Sequence, residues 1–321
     1  MIELRSLTKR YGDLLAVDQV SLRVEAGESF AILGPNGSGK TTVLKCIAGL
    51  VTPTAGAVLI GGASAGTPAA KRSVSYLPQQ VAFPQSLTAR EVLEFYCRLR
   101  KLPAATAQTA LQSSSLNGCS DKPLREFSGG MLQRLGLAVA LLPDAPVLLL
   151  DEPTAGLDPE SALEFRRGLT RLRQQGRTVV FSSHVLSDVE AVADRVAILV
   201  RGKLVAVESV VALRERMMLA CGLAIALLNP APELASVACA AGAHSAELTD
   251  HTLLVSCNAD QRIGVLHALE AAGAIVGSFA TREPSLEEIY LRYVNENTTG
   301  SDSTDRSADK LSDRAAAAGS H

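Results

Sequence analysis

The amino-acid sequence predicts an α/β fold with a mostly parallel central sheet, followed by a small α+β domain. First, strand patterns alternate with helix patterns over residues 1–218, as in proteins built on a parallel sheet. Second, strand-length runs such as residues 30–33 and 147–150 are apolar throughout, which is typical of strands buried on both faces. Third, the order changes after residue 219 to β-α-β-β-α-β, the order of ferredoxin-like domains.

Alternating or continuous apolar residues predict the strands of the first domain. These strands are expected at residues 2–4, 20–24, 30–33, 57–60, 147–150, 178–182, 196–200 and 203–207. The last two should form a hairpin around Gly202. We expect the N-terminal strands to supply an antiparallel edge to the sheet.

Helix signals fill the intervals between these strands. Thr88 and Glu91 have the spacing of a capping box and should open a helix that stops before Pro103. Other helices are expected at residues 40–48, 130–142 and 160–175, with a short one capped by Ser187 and Glu190. Residues 80–142 would form a helical subdomain, in which residues 104–126 are only loosely assigned as helical.

The second domain is predicted over residues 219–294. Its strands are expected at residues 221–228, 245–249, 252–257 and 274–280, and its helices at residues 232–241 and 261–272. Ser285 and Glu288 should cap a last helix through residue 294. Residues 295–321 are rich in Ser, Asp, Thr and Ala, and we expect a disordered tail whose end is a remnant of cloning.

Charge and composition exclude several classes of protein. The chain has 31 Lys and Arg against 33 Asp and Glu, so it lacks the basic surface typical of nucleic-acid binding. Its longest apolar run, residues 217–228, is well short of the roughly 20 residues that cross a bilayer. The N-terminus has no signal-peptide pattern. Six cysteines without a C-x-x-C pair indicate reduced thiols in a cytosolic protein.

A glycine-rich loop between a predicted strand and a predicted helix indicates a triphosphate site. It matches the pattern G-x-x-x-x-G-K-[ST] and contains Gly34, Asn36, Gly37, Ser38, Gly39, Lys40, Thr41 and Thr42. Glycines let backbone N–H groups surround phosphate oxygens, and the helix N-terminus adds positive potential. Lys40 would reach the β- and γ-phosphates, and the Thr41 hydroxyl would bind Mg²⁺.

Two carboxylates follow the apolar run at residues 147–150. A central parallel strand would deliver Asp151 to the sheet edge where the phosphate loop also lies. Asp151 would hold Mg²⁺, directly or through water. Glu152, the next residue, can polarise an attacking water and is the predicted general base.

A second anion site is predicted at Ser128, Gly129 and Gly130, where a hydroxyl and two bare amides open a helix. Within one chain, this site and the phosphate loop cannot easily contact the same nucleotide. The economical arrangement is a head-to-tail dimer that encloses two ATP molecules. Residues 127–131 with Gln133 and Arg134 closely resemble the signature sequence of ABC ATPases.

The remaining motifs resemble the ABC ATPase pattern in chain order over roughly residues 1–215. By this resemblance Tyr11 stacks on adenine, and Gln79 contacts Mg²⁺ and faces the membrane partner. Asp158 belongs to the loop that crosses the dimer interface, and His184 contacts the γ-phosphate. The resemblance implies the P-loop NTPase fold of the family and ATP and Mg²⁺ as cofactors.

The expected function is that of the ATP-binding subunit of an ABC transporter. It would form a homodimer, hydrolyse ATP and drive a separate membrane permease from the cytoplasmic face of the cell membrane. The second domain and residues 284–290 resemble exporter-type ATPases, including drug-resistance subunits and the copper-processing ATPase of nitrous-oxide reductase maturation. One alternative is a soluble ABC ATPase acting on nucleic acid or the ribosome. Another is a P-loop kinase, which would have no use for the Ser128 site.

Overall fold

The computed structural model describes residues 1–114, 116–214, 222–258 and 260–282. The chain divides into two compact units, Met1–Val210 and Val211–His321, each described by itself below. The predicted domain boundary after residue 218 falls among residues 215–221, outside the described residues, and stays a prediction.

A six-stranded sheet forms the centre of the first unit. Its strands are β3 (Ser29–Leu33), β6 (Val74–Leu77), β7 (Val147–Leu150), β8 (Thr178–Ser183), β9 (Arg195–Val200) and β10 (Lys203–Ser209). They lie in the order β10-β9-β3-β8-β7-β6, and all neighbouring pairs are parallel except β9 with β10. Every residue of β3, β7 and β8 is buried, which confirms the strands predicted from continuous apolar runs.

The N-terminal strands form a sheet of their own. This sheet contains β1 (Ile2–Tyr11), β2 (Leu14–Val24), β4 (Ala55–Ile60) and β5 (Ala63–Ser64) in the order β2-β1-β4-β5. The prediction that these strands supply the antiparallel edge of the parallel sheet was wrong, because that edge is β10. The two long strands β1 and β2 pair with each other across a tight turn at Gly12, whose φ is +54°.

One hydrophobic core lies between the two sheets of the first unit. It buries Ile2 and Leu4 of β1, Phe30 and Ile32 of β3, and Leu44 of α1 (Lys40–Ile47). The helix that follows the glycine-rich loop is therefore packed between both sheets, and its first residue is held in a fixed place.

A short helix, α2 (Pro68–Arg72), adds Ala70 to this first core. A second core belongs to the helical part of the first unit, whose helices are α3 (Ala89–Leu99), α4 (Ala105–Ser113) and α5 (Gly129–Leu141). Leu93, Leu111, Leu124 and Leu135 are among the side chains that meet there. The loosely assigned stretch contains α4 and two 3-10 turns, Asn117–Cys119 and Leu124–Glu126.

Two of the three predicted capping patterns lie within the described residues, and they had different outcomes. At α3 the Thr88 hydroxyl accepts a hydrogen bond from Glu91 N, and the Glu91 carboxylate accepts one from Thr88 N. The second pattern was wrong, because α7 (Leu186–Val192) begins before Ser187 and has Val185 at its N-cap position. Before it, α6 (Pro159–Gln174) is capped by Asp158 and buries Phe165 and Leu169.

The second unit has the predicted ferredoxin-like order. It contains β11 (Gly222–Leu227), α8 (Glu233–Ala240), β12 (Ser245–Thr249), β13 (Thr252–Ser256), α9 (Arg262–Ala271) and β14 (Val276–Arg282). The four strands form an antiparallel sheet in the order β12-β13-β11-β14, and Ile225, Leu253, Val265 and Leu269 are fully buried in its core. The helix predicted at residues 285–294 and the tail lie outside the described residues.

Within the described residues, none of the helices combines the length and the apolar character needed to span a bilayer.

Candidate functional site

The loop between β3 and α1 has a backbone shape that only glycine allows at two positions. Gly39, at the N-cap of α1, has a φ of +103°, and a Cβ there would lie 2.4 Å from the Ala16 carbonyl oxygen. A Cβ on Gly34 would lie 2.1 Å from the Leu199 carbonyl oxygen and 2.7 Å from Ser38 Oγ. The loop and the start of α1 line one cavity, and a glycine-rich loop at a helix N-terminus is an arrangement that binds phosphate.

Lys40 is a buried cation held by three oxygen atoms. Its Nζ donates to the carbonyl oxygens of Gly34 (2.8 Å) and Pro35 (3.1 Å) and lies 3.0 Å from Glu152 Oε1. Both charged side chains are more than nine-tenths buried. Burial of a lone charge is costly, so the two ionised groups stabilise each other in this position.

Asp151 accepts three hydrogen bonds at the carboxyl end of β7. The donors are Thr41 Oγ1 (3.0 Å), Ser182 Oγ (2.7 Å) and Tyr76 Oη (3.2 Å). Burial, and then the neighbouring Asp151 charge, raise the pKa of the Tyr76 phenol well above its usual range, so Tyr76 is a permanent donor.

The donor set at Thr41 and Asp151 fits Mg²⁺. A hydroxyl and a carboxylate are oxygen ligands of the kind this ion prefers. Their 3.0 Å separation is about the distance between neighbouring ligands in an octahedral shell with bonds of about 2.1 Å. The chemistry of these two residues therefore fits the metal.

Glu152 joins Lys40 to two further polar groups. Its Oε2 accepts a hydrogen bond from Gln79 Nε2 (3.2 Å) and lies 3.1 Å from His184 Nδ1. Its backbone has a φ of +44°, which is unusual for a non-glycine residue, and its N–H donates to Ser182 Oγ. The surrounding contacts thus fix the carboxylate in one orientation against the backbone preference of the residue.

Most of these groups line one cavity of about 720 Å³, whereas Gly34 and Asp151 lie behind its wall. The predicted residues in its wall are Tyr11, Asn36, Gly37, Ser38, Gly39, Lys40, Thr41, Thr42, Gln79, Glu152 and His184. The Tyr11 ring is half exposed, and Lys9 Nζ lies 4.9 Å from its centroid in a cation–π contact. The volume is in the usual range for a small-molecule site.

The predicted second anion site does not line this cavity. Ser128 is the N-cap of α5, and its hydroxyl accepts a hydrogen bond from Met131 N. A Cβ on Gly130 would lie 2.8 Å from Ser161 Oγ, and Gly129 lies over the Gly156 carbonyl. The start of α5 is therefore packed against the loop that precedes α6.

Asp158 also lies outside the cavity wall. Its carboxylate accepts hydrogen bonds from the backbone N and the hydroxyl of Ser161, which cap α6 and hold the pKa of Asp158 below its usual range. Its predicted place at a dimer interface is not tested by these contacts and stays a prediction.

Comparison with known proteins assigns the family. The family model described as ABC transporter matches residues 17–155. A daunorubicin resistance ATP-binding protein of Streptomyces coeruleorubidus is 33% identical over 310 residues, which cover 90% of this chain and 94% of that protein. This chain belongs to the ABC transporter ATP-binding proteins.

Other relatives agree with this assignment. An uncharacterized ABC transporter ATP-binding protein of Synechocystis is 41% identical over 191 residues, which cover 58% of this chain and 54% of that protein. The chain thus spans about half the length of that relative. A solved dimeric structure of an ATP-binding cassette in a post-hydrolysis state, bound to ADP and Pi, superposes with a TM-score of 0.60. It is 27% identical and covers 65% of this chain and 99% of that chain.

Three residues at the site of this ABC transporter ATP-binding protein were missing from the sequence-based prediction. Tyr76 and Ser182 hold Asp151, and Arg201 lines the cavity from the turn between β9 and β10. Tyr76 comes three residues before Gln79, and Ser182 two before His184. The sequence signal that could have identified Tyr76 and Ser182 is their position near a strand end, close to a predicted site residue.

Proposed function

We propose that this chain is the ATP-hydrolysing subunit of an exporter-type ABC transporter. Two copies would bind two MgATP molecules head to tail and drive a separate permease from the cytoplasmic face of the membrane. The observation that carries the proposal is the convergence of Lys40, Glu152 and His184 on the cavity lined by the glycine-rich loop. Hydrolysis requires a cation that binds phosphate, a base that activates water and a polar group beside them. Lys40, Glu152 and His184 are groups of these three kinds.

The loop residues and Lys40 would bind the triphosphate. Backbone N–H groups of the loop and of the first turn of α1 would face the phosphates, and Lys40 would exchange part of its contact with Glu152 for a γ-phosphate oxygen. Thr41 and Asp151 would hold Mg²⁺, which supplies charge neutralisation at the phosphate oxygens, and Gln79 would approach it from the end of β6. Tyr11 would stack on the adenine ring.

Glu152 would act as general base. One carboxylate oxygen contacts Lys40 and the other is shared by Gln79 and His184, so the group is oriented at the cavity wall. A water beside Glu152 would lose a proton to the carboxylate as its oxygen bonds to the γ-phosphorus, and the bond from the γ-phosphorus to the bridging oxygen would break to release ADP and phosphate. General-base catalysis of this kind contributes on the order of 10²–10⁴-fold. His184 would hold the γ-phosphate.

The start of α5 would act on the nucleotide of the second copy. Ser128, Gly129 and Gly130 present a helix N-terminus, a preferred environment for an anion, yet they lie outside the cavity wall of their own chain. A head-to-tail dimer places this N-terminus over the partner's γ-phosphate, and the loop containing Asp158 would cross the interface. The dimeric cassette with ADP and Pi supports a dimer.

The transport role is supported by the relatives. The Streptomyces protein, which spans nearly the same length, is named for daunorubicin resistance. A role in nucleic-acid or ribosome function has no comparable support, and the charge balance disfavours it. The copper-related suggestion also stays a prediction. Stimulation of ATP hydrolysis by membranes that contain the cognate permease, and not by nucleic acid, would support transport.

Replacement of Glu152 with glutamine tests the hydrolytic role. We expect Glu152→Gln to bind ATP, to elute as a dimer on size exclusion with ATP, and to release phosphate at least 100-fold more slowly than the parent. Glu270→Gln, an exposed substitution in the second unit, is the matched control and should behave as the parent. Phosphate release by Glu152→Gln near the parent rate would remove Glu152 from the base role.

Replacement of Ser128 with arginine tests the dimer. A bulky side chain at the start of α5 should prevent the ATP-dependent dimer and hydrolysis while leaving nucleotide affinity of the monomer intact. Dimerisation and hydrolysis at parent levels would contradict the head-to-tail arrangement.

A further inference from the structure

A buried carboxylate outside the nucleotide cavity joins the loop that follows Glu152 to the segment that contains His184. Asp188, in the first turn of α7, is only 5% exposed. It accepts a hydrogen bond from the Thr154 hydroxyl, and its other oxygen accepts one from Arg166 (2.8 Å) on α6. Ser183 Oγ, at the end of β8, lies 3.4 Å from it.

The connected positions are next to the proposed catalytic pair in sequence. Thr154 follows Glu152 by two residues, and Ser183 immediately precedes His184. Ser183 Oγ also accepts a hydrogen bond from Val185 N (2.9 Å) and donates one to Val185 O (3.1 Å), so it joins the two residues that flank His184. The Asp188 carboxylate thus provides a second link between the two segments, besides the direct contact of His184 with Glu152.

The free-energy cost of burying the Asp188 carboxylate favours a role for it beyond packing. A buried carboxylate is expensive to desolvate, and a buried ion pair often stabilises a fold no better than an apolar pair of similar volume. Here the carboxylate satisfies Arg166 and a loop hydroxyl together, which gives the two segments one defined relative position. Ala155, which follows Thr154, lines the cavity, and Gly156 has a φ of +75°. The loop between β7 and α6 therefore turns sharply as it connects the cavity to α6.

We propose that Asp188 and Thr154 are positioning residues that keep Glu152 and His184 in register with the loop at residues 153–158. Movement of that loop, which the proposed dimer would contact, is transmitted through Asp188 to the segment of His184. The hydrolytic geometry would therefore depend on the state of the loop. This inference rests on the proposed function, because it assigns a role to residues that support the proposed base.

Thr154→Val tests the inference with a side chain of nearly the same shape that lacks the hydroxyl. We expect kcat for ATP hydrolysis to fall on the order of tenfold while KM for ATP stays within about twofold, because positioning acts on the transition state more than on binding. Thr154→Ser restores the hydroxyl and should recover most of kcat. Thr109→Val, which removes an exposed helical hydroxyl on α4, is the matched control and should equal the parent.

Hydrogen–deuterium exchange gives a readout that does not require hydrolysis. In Thr154→Val without nucleotide, backbone amides at residues 154–157 and at residues 184–187 should both exchange faster than in the parent. Faster exchange confined to residues 154–157, or parent kcat in Thr154→Val, would overturn the inference. So would equal losses in Thr154→Val and Thr154→Ser.

The same experiments separate this inference from the proposed function. If the parent hydrolyses ATP and Glu152→Gln does not, the proposed function stands whatever the Thr154 variants do. If the parent shows no hydrolysis, the proposed function fails, and exchange at residues 184–187 still decides whether Thr154 and Asp188 couple the two segments.

Discussion

Replacement of Gly34 with alanine tests how closely the phosphate loop is packed against the sheet. The added Cβ would lie 2.1 Å from the Leu199 carbonyl oxygen and 2.7 Å from Ser38 Oγ. Ordinary contact begins above 3.4 Å, so the loop or the strand must move by about 1 Å. The Leu199 carbonyl belongs to a buried strand paired with β3, and the Gly34 carbonyl binds Lys40. The displacement would therefore disturb both the sheet and the oxygen that holds Lys40.

The expected cost follows from this displacement. Overpacking a core typically costs 1–3 kcal/mol, and the backbone clash places Gly34→Ala near about 3 kcal/mol. For a unit of this size that lowers the melting temperature by roughly 6–12 °C. The same displacement moves the Gly34 carbonyl oxygen that holds Lys40, so ATP affinity should fall as well.

Thermal melting without nucleotide and titration with a fluorescent ATP analogue measure the two effects. Gly168→Ala is the control, because nothing lies within 4 Å of a Cβ at that position of α6. It should leave affinity unchanged and raise stability by up to about 1 kcal/mol, since alanine is the better helix former. A Gly34→Ala protein with parent melting temperature and parent affinity would refute the reasoning.

Two further predictions concern the core and the helical region. Burial raises the pKa of the Cys46 thiol to about 11, so below that pH little thiolate is present and alkylation should be slow at pH 8. Exposed Cys239 should react at least tenfold faster, and mass spectrometry of peptides after brief iodoacetamide treatment measures both; equal labelling would contradict the buried position of Cys46. Thr88→Ala removes the capping hydroxyl of α3 and should destabilise the protein by about 1 kcal/mol in denaturant unfolding, whereas an unchanged midpoint would show that the cap contributes nothing.

Local sequence signals predicted most elements of the fold but not how they pair. The continuous apolar runs identified β3, β7 and β8, because a strand that is buried on both faces needs an apolar side chain at nearly every position. The predicted hairpin of β9 and β10 contains the antiparallel edge, but no local signal in β1 or β2 shows that these strands form a separate sheet. Pairing of distant strands is a property of the whole chain.

Capping patterns show the same limit on a smaller scale. Thr88 and Glu91 formed the predicted box, whereas Ser187 and Glu190, with identical spacing, did not. Near Ser187 the Ser183 hydroxyl already binds Val185 N, so the chain turns into α7 earlier than the pattern indicates. Spacing alone cannot reveal a competing side chain four residues upstream.

Motifs predicted the site residues that belong to a short sequence pattern, such as Lys40 in the glycine-rich loop and Glu152 after the apolar run. Tyr76 and Ser182 were missed because their relevance depends on strand register. Tyr76 pairs with Leu149, and Leu150 pairs with Phe181, so parallel alignment brings Tyr76 and Ser182 beside Asp151. That alignment cannot be read from either segment alone.

The glycine-rich loop, although close to the N-terminus, takes its shape from residues much later in the chain. Leu199 presses on Gly34, and Gly202 N donates to Ser38 O at 3.0 Å. On the ribosome these partners emerge only after nearly the whole first unit has been synthesised. A growing polypeptide therefore has the loop sequence long before it has a nucleotide pocket, and ATP can stabilise the newly made subunit only near the end of translation of that unit.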